Sequence, residues 1–369
     1  MSNHRVEAVI DLSKIKKNYE YIKRLAGDSR IMAVVKADAY GHGAAKVSAM
    51  LESIGCGYFA VACIDEAAQL RESGIQGEIL ILGISDTADA KQLRQYDIIQ
   101  TVNSYAYAQL LSENGGARVH LKIDTGMSRL GMYCHSPADI PAVVEEIKKI
   151  KSLPNISVEG IFTHFADSDN PSSGFTVKQY ALFTGLLDAL KSEGIDVGIR
   201  HCCNSAAIVN FPHMRLDMVR AGIILYGLSP APDTMKIPGL SPAMTLRSRI
   251  AAVNELKAGD YVSYGCTYKA EKDIRAATIS IGYADGFSRA LSGKISVKIN
   301  GKKVKIIGRI CMDLCVADVS GVDCAPGDEA VIFDCAEDID NIAELLGTIN
   351  YEVICMFKKR VKNIYINET

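Results

Sequence analysis

Between Ile31 and Tyr226 short apolar runs alternate with amphipathic helical segments. This alternation constrains the fold more than any other feature of the chain. The runs are Ile31–Val35, Tyr58–Ala62, Ile79–Leu82, Ile98–Val102, Val119–Ile123, Val158–Thr163, Ile199–Cys203 and Met218–Tyr226. A strand that is apolar on both faces belongs to a sheet covered on both sides, and parallel neighbours need a crossover, usually a helix. Roughly eight such units predict a parallel (β/α)8 barrel over residues 12–241. A doubly wound open sheet is the alternative, but no GxGxxG follows the first strand. Before the barrel, His4 to Leu12 alternates like a single strand, and Asp11 or Ser13 opens a helical pattern through Leu25.

After about Pro242 the pattern changes. Arg249–Val253, Ala276–Ile281, Ile295–Ile299, Val304–Ile307 and Ala330–Phe333 are short alternating runs separated by glycine-rich turns, with one helix near Ile339–Leu346. Asn300-Gly301 is a strong hairpin signal. The expectation is a separate, mostly β domain over residues 242–369. At 369 residues with 48% apolar content the chain can build two cores. A formal net charge of −2, with 41 basic against 43 acidic residues, points to neither nucleic acid nor an anionic membrane as partner. Eleven cysteines without paired spacing read as reduced thiols, and neither a secretory leader pattern nor a bilayer-length apolar run is present. A cytoplasmic protein is expected, or the cytoplasmic domain of a membrane protein.

In such a barrel the working residues gather at the carboxyl ends of the strands. Lys36, His164, Ser205 and Arg220 all sit there. A lysine closing a buried strand loses charge to burial, which frees its amine to attack an aldehyde. A snorkelling lysine is the plainer alternative. Asn204-Ser205 by itself reads as a helix cap, and Arg220 as a rim ion pair.

The segment AVVKADAYGHG (33–43) resembles the pyridoxal-phosphate segment of alanine racemases. THFADSD, HCCNSAA, VRAGIILYG, VSYGCTY, IGYADG, GRICMD and TINYEV follow in that family's order across nearly the whole chain. The resemblance implies pyridoxal 5′-phosphate attached to Lys36. Tyr40, Ser205, Gly222, Ile223 and Tyr351 would hold its phosphate, and His164, Asn204 and Arg220 would also contact the cofactor. Most pyridoxal rings face a carboxylate that keeps the ring nitrogen protonated; here Arg220 can only donate.

The implied reaction interconverts L- and D-alanine, supplying D-alanine for peptidoglycan. One base cannot serve both faces of a planar carbanion, so Lys36 would serve one and Tyr264 of the other subunit the second. A phenol, with a pKa of roughly 10, needs cationic donors to act as a base near neutrality, and the resemblance supplies His164 and Arg220. It also implies that the N-terminal strand, residues 1–11, joins the domain formed by 242–369, and that the protein is a head-to-tail homodimer with shared sites. Arg129, Cys311, Met312, Asp313 and Tyr283 would bind substrate, and Lys122 matches a lysine that some members carbamylate. No metal is expected. Ser128 and Cys203 depart from the usual pattern, as does the ending from Cys355 to Lys362. These departures leave serine, the substrate of relatives in vancomycin-resistance proteins, as the alternative. Tyr351, which those relatives often replace, favours alanine. A decarboxylase of the same architecture would carry an acidic residue in place of Arg220, and a bare pyridoxal-phosphate carrier barrel would lack the second domain.

Overall fold

The computed structural model describes residues 5–172, 174–233, 235, 237–357 and 359–368. After strand β1 (Val6–Asp11) come β2 (Arg30–Val34), β3 (Tyr58–Val61), β4 (Glu78–Ile81), β5 (Ile99–Val102), β6 (Ala117–Asp124), β7 (Met132–Tyr133), β8 (Ile156–Phe162), β9 (Ile199–His201) and β10 (Met218–Ala221). Parallel pairing runs β2-β3-β4-β5-β6-β8-β9-β10, and β10 pairs back onto β2, closing an eight-stranded ring. The two-residue β7 pairs in parallel on β6. Closure leaves the ring no edge. Phe59, Ala60, Val61, Ile79, Leu80 and Ile81 are all buried, as strands covered on both faces require.

The helix after β1 shows the apolar stripe by which a helix packs. In Leu12–Ala26 the buried positions Leu12, Ile15, Tyr19, Ile22 and Ala26 recur at three- and four-residue steps. This helix begins where the Asp11 carboxylate accepts the N–H groups of Ser13 (3.0 Å) and Lys14 (3.4 Å), and it ends at Gly27 in a positive-φ conformation. The strand expected from His4 is observed from Val6; His4 lies outside the described residues. The last apolar run, Met218–Tyr226, is not one strand. The chain leaves the sheet at Gly222 (φ −110°, ψ −107°), and Ile223–Tyr226 coils into a 3-10 turn. Both halves are buried, so hydropathy could not separate them.

The second domain contains β11 (Met244–Leu256), β12 (Tyr261–Val262), β13 (Tyr268–Lys269), β14 (Ile274–Ile279), β15 (Ser296–Ile299), β16 (Lys302–Ile307), β17 (Cys315–Asp318), β18 (Glu329–Phe333) and β19 (Lys362–Ile366). Its main sheet runs β14-β17-β16-β15-β18-β11, closes through a β11–β14 pairing, and extends beyond β11 with β1 and β19. β11 pairs with β1 and β18 along its first part and with β14 from Ile250 onward, with a register irregularity between Ile250 and Ala252. Asn300 (φ 48°) and Gly301 (φ 76°) form the two-residue turn joining β15 to β16. β12, β13, β17, β19 and the helix Asn350–Cys355 have no counterpart among the apolar runs; most are too short or too exposed to show a period. No described helix is long and apolar enough to cross a membrane, and all eleven cysteines are free thiols.

Candidate active site

At the carboxyl end of β2 the chain enters a left-handed turn. Ala37, Asp38, Ala39 and Tyr40 have φ between 52° and 54°, and Gly41 follows at 84°. Each non-glycine residue in this region costs roughly 1–2 kcal/mol, so the turn persists only because its surroundings hold it. Glu66 accepts the N–H groups of Ala37 and Ala62 (2.8 Å each), Asp38 accepts that of Ala44 (2.7 Å), and Asn363 donates to the Gly41 carbonyl (3.2 Å). The His42 Nδ1 lies 3.1 Å from the carbonyls of both Ala39 and Tyr40, which can only accept, so this nitrogen carries the proton. Burial pushes the His42 pKa down to about 4. Its ring packs 4.6 Å from that of Tyr226, whose hydroxyl donates to the Val34 carbonyl at 2.8 Å. Lys36 stands half-buried at the head of this turn. Its pKa is lowered by burial first and then by the positive charge of Arg129, against a smaller opposing effect of Glu66.

The same turn carries Tyr40. Its ring lies 5.0 Å from Tyr226 and 6.1 Å from Tyr351. Opposite stands Ser205, the first residue of the helix Ser205–Asn210, whose Oγ accepts the Gly222 N–H at 2.9 Å. A Cβ added at Gly222 would lie 3.1 Å from the Tyr40 hydroxyl and 3.5 Å from the Ser205 Oγ, so the missing side chain opens a small space lined by two hydroxyls. The first turn of Ile223–Tyr226 begins there as well, bringing helix-start N–H groups. Asn204 caps the Ser205 helix: its side-chain oxygen accepts from Ala207 N (3.0 Å) and Ser168 Oγ (2.8 Å).

Arg220, at the carboxyl end of β10, is buried. It donates to His201 Nδ1 (2.9 Å), His164 Nδ1 (3.2 Å), the Thr163 carbonyl (2.8 Å) and the Cys202 carbonyl (3.1 Å), and lies over the Phe162 ring. A guanidinium only donates, so both histidine nitrogens it meets are acceptors and both rings keep their proton on Nε2. His201 Nε2 then donates to His120 Nδ1 at 3.0 Å. Burial and the Arg220 charge hold His164 and His201 well below the ordinary histidine pKa; burial, with Arg118 and Arg220, brings His120 to about 3. Lys122 is only 6% exposed, over Phe162, and donates to the Ile123 carbonyl at 3.2 Å. Burial, Arg220 and Arg129 push its pKa well down against Asp124.

Apart from Arg129, the remaining candidates lie on the second domain. Tyr264, on the turn between β12 and β13, is 69% exposed, and Tyr283 and Met312 are exposed as well. The Asp313 carboxylate meets Arg360 at 2.6 Å, and its carbonyl accepts from Arg5 at 2.7 Å. Cys311 is half-buried beside Ser263. Arg129, on the loop after β6, is exposed.

The alanine racemase N-terminal domain family matches residues 10–230, and the alanine racemase C-terminal domain family matches residues 243–365. The chain belongs to the alanine racemase family. Alanine racemase 1 of Clostridium acetobutylicum is 43% identical over 98% of this chain and 95% of its own length. A Clostridium difficile alanine racemase in complex with cycloserine is 38% identical, with a TM-score of 0.92 over all of this chain and 98% of that one. The Bacillus anthracis alanine racemase with bound L-Ala-P is 32% identical, with a TM-score of 0.90 over all of this chain and 97% of the other. The chain is thus an isomerase of the alanine racemase family, with the family's barrel and β domain.

Within this family fold the chemistry of the residues fits a phosphorylated aldehyde. An amine of lowered pKa shares one strained turn with a hydroxyl that lines the space beside Gly222. Sequence reasoning missed Glu66, which clamps the Lys36 turn, and the pair His201 and His120 behind Arg220. The two histidines left a faint signal, being polar residues inside apolar strands; Glu66 left none.

Proposed function

We propose that the protein binds pyridoxal 5′-phosphate at Lys36 and, as a homodimer with shared sites, interconverts L- and D-alanine using two bases. The observation that carries this is the single turn that bears both Lys36 and Tyr40, with the Tyr40 hydroxyl next to the Ser205–Gly222 space. Residues 12–241 form the cofactor-binding unit in this reading, and 242–369 together with 1–11 the second. When bound, the cofactor would supply an electron-withdrawing ring that acidifies the substrate Cα–H. Lys36 takes or returns the α-proton on one face; its depressed pKa favours the neutral amine that this needs. Arg220 offers a permanent donor and no proton acceptor, so it does not favour a protonated pyridine nitrogen. Tyr264 of a second copy serves the other face, with Arg129, Tyr283, Cys311, Met312 and Asp313 around the substrate. Exposure of Tyr264, Tyr283, Met312 and Leu314 on one domain supports a dimer that covers them.

Alanine is preferred to serine in this reading because the chain keeps Tyr351, packed against Tyr40, where serine-acting relatives often carry a smaller polar residue. Chiral chromatography after incubation with each L-isomer should show alanine ahead of serine by about 10- to 100-fold in kcat/KM, the range open to a pocket judging one added hydroxyl. Equal rates, or inert alanine, would overturn the assignment. Supply of D-alanine to peptidoglycan is tested by complementation of a D-alanine auxotroph.

Lys122 suits carbamylation. Its neutral amine can attack carbon dioxide and release a proton, and the resulting anion would be attracted to the Arg220 and Arg129 charges. In protein incubated with 13C-bicarbonate, a carbamate carbon resonance that is lost in Lys122→Met is expected; the same spectrum from both proteins would exclude the modification.

A further inference from the structure

We propose that Ser263 is a positioning residue for Tyr264; this rests on the reading of Tyr264 as a base. With its ring largely exposed, Tyr264 takes its direction from the backbone on either side. That backbone is unusual: Ser263 has φ 65° and ψ −175°, a region occupied almost only by glycine, and Gly265 and Cys266 follow at φ 72° and 49°. A serine stays in such a conformation only where its surroundings hold it.

The hold is visible. The Ser263 hydroxyl donates to the Arg309 carbonyl at 2.6 Å, and its oxygen lies 3.3 Å from the Cys311 sulfur. The two backbones touch: a Cβ on Gly308 would lie 2.6 Å from the Val262 carbonyl and 3.0 Å from the Ser263 Cβ. On the far side of the turn, a Cβ on Gly265 would lie 3.0 Å from the Arg309 guanidinium, so Arg309 limits the turn from both its main chain and its side chain. The Cys311 and Met312 carbonyls in turn accept the N–H groups of Tyr283 and Ala284 at 3.0 Å each. Tyr264, Tyr283 and Met312 therefore stand on three segments that are locked together, and the Ser263 hydroxyl is the side-chain bond joining the first to the other two. Local sequence preference opposes this geometry at Ser263, so its stability comes from that bond and the contacts beneath it.

Two variants separate the hydroxyl from the strain. Ser263→Ala keeps the unfavourable conformation and removes the bond; Ser263→Gly removes the bond but accepts the conformation at no cost. In the cofactor-loaded enzyme, Ser263→Ala should slow α-proton removal from L-alanine on the order of 10²-fold, the effect of a misplaced reacting group, while exchange from D-alanine stays near that of the unaltered enzyme. Ser263→Gly should recover about tenfold of that loss. Independently of activity, amide exchange over residues 262–268 should be faster in Ser263→Ala by about tenfold, the loss of one net hydrogen bond. Unchanged amide exchange in Ser263→Ala, or a glycine variant slower than the alanine one, would overturn the proposal. If Tyr264→Phe itself lowers α-proton exchange from both isomers equally, the base assignment has failed; amide exchange then still decides whether Ser263 holds the turn.

Discussion

Lys36→Ala is expected to lower racemisation by roughly 10⁴-fold or more. A positioned proton-transfer group contributes about 10²–10⁴-fold, and this substitution also removes the amine that would tether the cofactor. The visible absorbance of the bound cofactor and its trapping by borohydride should vanish with it, and added methylamine should restore a part of the activity. A variant that keeps both the spectrum and the rate would refute the assignment. A melting temperature separates misfolding from lost chemistry. Burial and Arg129 depress the amine's pKa in the folded protein, so the protonated lysine opposes folding as pH falls below its unfolded value. Its removal should therefore leave the melting temperature of the cofactor-free protein at neutral pH no lower than before.

Tyr264→Phe should cost about 10²–10⁴-fold in turnover while leaving cofactor binding intact. Its signature cannot be a difference in kcat/KM between the two directions. The enantiomers have equal free energy, so the two values must stay equal whatever the residue. The asymmetry appears in exchange. D-alanine should still lose its α-proton to solvent through Lys36 with little conversion, whereas L-alanine should neither exchange nor convert. The α-deuterium isotope effect with L-alanine should rise. Equal loss of exchange from both isomers would contradict the two-base reading. A mixed dimer tests whether the site is shared. One chain carrying Lys36→Ala and the other Tyr264→Phe would together rebuild one intact site from the Lys36 of one and the Tyr264 of the other. Sites confined to single chains would give no recovery.

Both experiments use residues that the sequence marks. Lys36 ends an apolar strand, and Tyr264 lies in a glycine-containing turn between short β segments. What each residue needs from its neighbours is much less legible. Asn204, Ser205 and Gly222 stand in readable turns, but only the fold places the Tyr40 hydroxyl opposite Gly222. Arg220 reads as a rim cation, yet it is buried, and its side-chain partners are His164 and His201, 56 and 19 positions away. Ser263 reads as an ordinary turn residue until its φ and its bond to Arg309, 46 positions on, are known.

By itself, then, the sequence determined the barrel and the following β domain, and it marked the candidate residues at the strand ends. Buried parallel strands and their covering helices write their period into neighbouring positions, and a lysine in such a place is a local anomaly. Only the tertiary structure decided the left-handed Lys36 turn, the pairing of Arg220 with two histidines, the spacing of Tyr40, Ser205 and Gly222, and the bonded platform under Tyr264. Ala37, Ala39 and Ser263 have no local preference for the backbone they adopt. Hydrogen bonds from residues far along the chain hold them there, and no window of neighbouring residues contains those bonds.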